Sequence, residues 1–139
     1  MRSPFFVLFV IVLILISCQK NPKKSQEFAQ LERILILHDE VMPEMGNISR
    51  LIDALERDFQ SDSTQIALNA AVAELKSANS AMIQWMIDFS ETFTTDEITG
   101  KIMISMDKQS ILDSYEVSAL SLKEKILLAI KQANAVMNE

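Results

Sequence analysis

Residues 31–59 read LERILILHDEVMPEMGNISRLIDALERDF. Leu31, His38, Met45, Ile52 and Phe59 are spaced by seven, and Ile34, Val41, Ile48 and Leu55 repeat three residues further on. Eight of these nine positions are apolar, and the ninth is the only histidine in the chain. That is a two-position helical seam over four heptads. Charged residues, among them Glu32, Arg33, Asp39, Glu40 and Asp53, fill the remaining positions as a solvated face. Pro43 tests the reading, because proline removes a helical amide and crowds the carbonyl of Asp39. A break, with Asn47 or Ser49 capping a second helix, is the competing reading. The heptad phase is the same on both sides of Pro43, and Pro43 falls at the outward position f. One helix, kinked at 39–46 and running from Gln26 to Phe59, is therefore predicted.

Two more helices follow. SDST at 61–64 supplies turn and capping groups. A second seam runs Leu68, Ala71, Leu75, Ala78, Met82, Trp85, Phe89, with Val72, Met86 and Phe93 beside it. TTDEITG at 94–100 breaks the pattern, and KIMISMD at 101–107 reads equally as a short strand or a helical turn. The last helix spans Lys108 to Met137, with Leu112, Tyr115, Ala119, Leu122, Ile126, Ile130, Ala133 and Met137 inward. Gly46 and Gly100 are the only glycines, which suits a helical chain. The fold class predicted is all-α, an antiparallel up-down-up three-helix bundle of coiled-coil type.

The chain starts MRSPFFVLFVIVLILISCQK. Arg2 precedes an apolar run, Phe5 to Ile16, which is shorter than the roughly 20 residues that cross a bilayer and has the length of a signal-peptide core. Leu15-Ile16-Ser17-Cys18 closely resembles the lipobox of bacterial lipoproteins. That resemblance implies a signal peptide over 1–17, a diacylglyceryl group on the thiol of Cys18 and acylation of its freed amino group. Cys18 is the sole cysteine, so no disulfide forms within the chain and no thiol remains for catalysis. Residues 18–24, CQKNPKK, read as a lipidated tether whose lysines suit an anionic headgroup surface. The bundle domain is 25–139. Gln19 stands where an aspartate would retain such a lipoprotein in the inner membrane, so the resemblance implies the outer membrane, on its periplasmic or its outer side.

From Ser25 onward there are nine Lys/Arg against nineteen Asp/Glu, a net of −10. This argues against nucleic acid as a partner, since binding there begins with cationic neutralisation of phosphates. A phosphate loop, a dinucleotide fingerprint and a nucleophile–base pair at plausible spacing are all lacking. No catalysis and no cofactor are expected. An apolar edge on the last helix, Leu120, Leu127 and Leu128, leaves room for a homodimer or a protein partner.

Helices folded back through a short loop meet in mirror order. A turn centred near residue 61 sets His38 level with Met82 to Met86, and one near Gly100 sets Trp85 level with Tyr115. His38, Pro43, Met45, Trp85 and Tyr115 are thus expected to form a structural cluster. In it the His38 ring bonds to the Tyr115 hydroxyl, to Glu116 or to water, and methionines fill the space beside the kink. The alternative is a soft-metal site. His38 with Met42, and Met82 with Met86, each stand at i, i+4, and imidazole and thioether suit copper(I), or haem with His/Met axial ligands.

With its lipobox, HDEVMP at 38–43 followed by Met45-Gly46, and Trp85-Met86 on the second helix, the chain resembles small helical lipoproteins of Bacteroidota. Some of these bear the name "viral A-type inclusion protein" through coiled-coil similarity alone. The resemblance implies a helical fold and an envelope address, and no activity.

Overall fold

The computed structural model describes residues 22–57 and 65–138, with side chains from Gln26 onward. Four helices make it up: α1 (Pro22–Arg57), α2 (Gln65–Thr92), α3 (Thr95–Ile98) and α4 (Met106–Met137). Among the described residues there is no strand, and no helix is long and apolar enough to cross a membrane. The expected signal peptide over 1–17, Cys18 and the expected turn at 61–64 lie outside the described residues.

The chain runs through Pro43 as one helix. Pro43 is exposed, so the Asp39 carbonyl left without its helical donor lies on the solvent side of α1. α1 also starts earlier than the sequence suggests, at Pro22, and takes in 22–24 of the expected tether. Proline suits a first helical turn, where its missing N–H would have no partner in any case.

Burial along α1 keeps one row of the seam and loosens the other. Ile34, Val41, Ile48 and Leu55 are buried, as is Leu31, while His38, Met45 and Ile52 are half-buried and Leu51 is buried beyond the seam. A helix that packs against two neighbours buries a stripe wider than two heptad positions. On α2 the seam from Leu68 to Met82 is buried, and Ala71 and Ala78 within it let the neighbouring backbones approach. On α4, Met137 is exposed where an inward position was expected, and Ala129 is buried instead. Among the described residues of α4, none beyond Ala133 is buried.

Two apolar clusters result. The larger joins Val41, Ile48 and Leu55 to Leu75, Met82, Ile126 and Ala133; the smaller joins Leu31 and Ile34 to Phe89, Phe93, Ile104 and Leu112. Trp85 packs against both. Each fully buried Leu or Ile contributes about 1.5–3 kcal/mol.

Polar pairs report the helix directions. Between α1 and α4 the offset is a constant 83: Gln30 with Asp113, Arg33 with Glu116, Glu40 with Lys123. A constant offset means the two run parallel. α2 meets both in reverse order: on α1, Glu56 meets Lys76 and His38 meets Trp85; on α4, Tyr115 meets Thr92 and Lys125 meets Ser77.

The stretch 94–105 departs from expectation. Thr94-Thr95-Asp96-Glu97 forms the one-turn α3, closed by a capping box in which the Thr94 hydroxyl and the Glu97 carboxylate each serve the other's backbone amide. KIMISMD is neither strand nor a separate turn: 101–105 is irregular, Ile104 plugs the core, and α4 begins at Met106.

Candidate functional site

Trp85 and Phe89 stand on one face of α2 at i, i+4, and Phe93, just past its end with its amide on the Phe89 carbonyl, continues the row at i+8. Trp85 and Phe89 stack with ring centroids 5.0 Å apart and planes 12° from parallel. Phe89 and Phe93 are 5.1 Å apart and tilted by 47°. Tyr115 of α4 stands edge-on to all three, at 5.8, 5.3 and 5.5 Å. Each such pair contributes about 0.5–1.5 kcal/mol beyond its area burial, because the positive ring edge meets a negative ring face.

His38 of α1 lies on the outer side of this ladder. Its ring is 5.8 Å from Trp85, with planes 18° from parallel. Its side chain is 17% exposed, and Nδ1–H donates to Asp39 Oδ1 at 3.0 Å. Neither Tyr115 nor Glu116 serves it, because both are engaged elsewhere. The Thr92 hydroxyl donates to the Asp88 carbonyl, so the Tyr115 hydroxyl donates to Thr92 Oγ1 at 2.9 Å. Glu116 accepts from Arg33 Nε at 2.6 Å and from Gln30 at 2.9 Å. Trp85 Nε1 donates to Ser118 Oγ at 2.9 Å, and Ser118 Oγ donates to the Tyr115 carbonyl.

The other residues singled out from the sequence are spread along α1 and α2. Pro43 is exposed on the outside of α1. Met45 is half-buried against the larger cluster, where Met82 is fully buried. Met42 and Met86 are 38% and 41% exposed. Among the described residues, no three His, Cys, Asp or Glu side chains are grouped to hold a metal ion. Among the described residues, open grooves of about 260 Å³ and about 540 Å³ lie between the starts of α1 and α4 and between α2 and α4. Neither is lined by His38 or a methionine.

One buried charge escaped the sequence reading. Glu97 is 4% exposed at the junction of α3 and α4. It accepts from the Thr94 amide at 2.8 Å, from the Thr94 hydroxyl at 2.9 Å and from Lys108 Nζ at 2.9 and 3.1 Å. Burial alone would push its carboxyl up, but bonds from Lys108 and from Thr94 together hold it below the usual carboxylate range. Lys108 also lies over the Phe93 ring, 5.9 Å from its centroid. The signal was present as T-x-x-E at 94–97, a capping box hidden inside what reads as a pattern break. Among the described residues, no buried side-chain nitrogen or oxygen lacks a hydrogen-bond partner.

No protein-family model matches the chain, and neither does a curated protein or a solved structure.

Proposed function

We propose that this chain is a lipid-anchored envelope protein whose antiparallel up-down-up three-helix bundle serves as a structural or protein-binding module, without catalysis. One observation carries the reading. The chemistry-bearing side chains that the bundle encloses are engaged in packing: His38 stacks on Trp85, the Tyr115 hydroxyl bonds to Thr92, and Glu97 pairs with Lys108. A catalytic group needs a free face toward a reactant. The anchor rests on the lipobox, Leu15 to Cys18, as in small helical lipoproteins of Bacteroidota. Gln19 favours the outer membrane, and the acidic surface suits a domain that stands off anionic headgroups. Its partners are the membrane, through the lipid, and a protein or a second copy seated on α4, where Leu120, Leu127 and Leu128 are about half-exposed.

Two measurements test this. Mass spectrometry of the mature protein should find acyl chains on Cys18, and Cys18→Ser should leave an unprocessed precursor. A Cys18→Ser variant that fractionates and labels with fatty acid like the parent would remove the anchor. The lipidated protein, purified in detergent under reducing conditions with copper or with haem, should hold neither in stoichiometric amount. Stoichiometric copper that disappears in both His38→Ala and Met86→Ala would replace this reading with a metal-binding one through His38, Met42, Met82 and Met86.

A further inference from the structure

At the end of the molecule where α1 begins, the chain holds four large apolar side chains out toward solvent. Phe28 is 40% exposed, Ile102 50%, Met103 56% and Met106 78%. Phe28, Ile102 and Met103 form one patch, since Phe28 lies against Gly100 and the three line one crevice; Met106 opens α4 three residues further along the chain. The segment presenting them is firmly held. The Lys101 and Ile102 amides both donate to the Asp96 carbonyl, and Ile104 is buried beneath. Gly100 adopts φ 71°, the left-handed turn that lets Phe28 close over it. A rigid loop that points apolar side chains outward is arranged for contact with something apolar.

The chain itself indicates what that is. Phe28 is six residues into α1, about 9 Å along the axis from Pro22. Only three residues separate Pro22 from Cys18, a reach of at most about 14 Å. Acyl chains on Cys18 thus bring the bilayer surface to this end of the molecule. Lys101, next to Ile102 in the chain, is largely exposed and pairs with Asp96 at 3.2 Å, a surface pair that a phosphate headgroup can replace.

We infer that Phe28, Ile102 and Met103 insert into the membrane interface beside the lipid anchor, as a second contact that fixes how the domain stands on the bilayer. The inference rests on the proposed acylation of Cys18. Lipid-tethered domains without such a contact tumble freely about the tether; this one is held upright, with α4 and its exposed leucines directed sideways.

Cys18 is the only cysteine, so the acylated protein has no free thiol and a new one can be labelled uniquely. The full-length protein bearing Met103→Cys, and separately Ile66→Cys, is labelled with an environment-sensitive fluorophore. Each is reconstituted in phosphatidylethanolamine–phosphatidylglycerol vesicles. Ile66 is a stringent control, being 84% exposed and about 39 Å along α2 from Thr92. The label at 103 should shift to the blue, lose intensity to nitroxides placed shallow on the lipid chains, and resist aqueous iodide. The label at 66 should do none of these. Iodide access at 103 equal to that at 66, on acylated protein, overturns the inference and leaves the anchor standing. Shielding from iodide without quenching by lipid nitroxides also overturns it, since a second copy or another protein then covers the patch. A free thiol at Cys18 in the mass spectrum removes anchor and inference together.

Discussion

Replacing His38 separates the packing of its ring from its polarity. The imidazole stacks on Trp85 and makes one hydrogen bond, to an exposed Asp39 that water can serve equally well. His38→Ala should lower stability by about 0.5–1.5 kcal/mol, the worth of an aromatic contact. His38→Leu should be neutral or stabilising in urea denaturation, because an apolar side chain there leaves no buried group unpaired. The two glycines should respond with opposite signs. A methyl at Gly46 meets nothing within 4 Å, so Gly46→Ala should stabilise α1 by about 0.5–1 kcal/mol through helix propensity. At Gly100 the same methyl would sit 2.5 Å from the Phe28 ring on a residue with φ 71°. Gly100→Ala should therefore cost about 1–2 kcal/mol, read from the same denaturation curves. The cluster around His38 was legible in part. Mirror order about residue 61 put it beside 82–86, and its ring lies on Trp85. Its hydrogen-bond partner was not legible, because that depends on competition for Tyr115 and Glu116 by Thr92 and Arg33.

The short α3 element depends on Glu97 more than on its own single turn. Its carboxylate is held below the ordinary range, as is that of Glu116 through its bond from Arg33. A group whose folded pKa is lowered lends stability that is complete above the unfolded value, near 4.3, and lost as pH falls through the folded one. Stability should therefore be flat from neutral pH down to about pH 5 and fall below it. Glu97→Gln keeps the capping geometry and removes the ion pair with Lys108. It should cost about 1–2 kcal/mol at pH 7, and the difference from the parent should shrink in acid. A constant difference down to pH 3 would show that Glu97 acts through shape alone. Pro43 teaches the converse at this scale. A residue that ends most helices is carried within α1, because its outward position leaves the freed carbonyl to water.

Across the whole molecule, helix direction is readable from charge pairs. Glu40 and Lys123 meet at the same offset of 83 that joins Arg33 to Glu116. Glu40→Lys or Lys123→Glu alone sets like charges together and should cost about 0.3–1 kcal/mol. The double exchange should recover most of that loss, and high salt should shrink all three effects. Absence of coupling between the two positions would mean that Glu40 and Lys123 are not paired in solution.

Periodicity alone settled that the chain is helical, because apolar residues at three- and four-residue spacing can bury a stripe only as a helix. It also carried α1 through Pro43, since the phase survives. What packing had to decide was width and partnership. α1 meets two helices, so its buried stripe spreads past the heptad seam to Leu51, and Met45 and Ile52 stay half-covered. Glu97 is buried although glutamates seldom are, because Lys108 arrives from eleven residues away to neutralise it. Spacing along one helix records which side chains share a face; which groups they compete for is set only when other helices arrive.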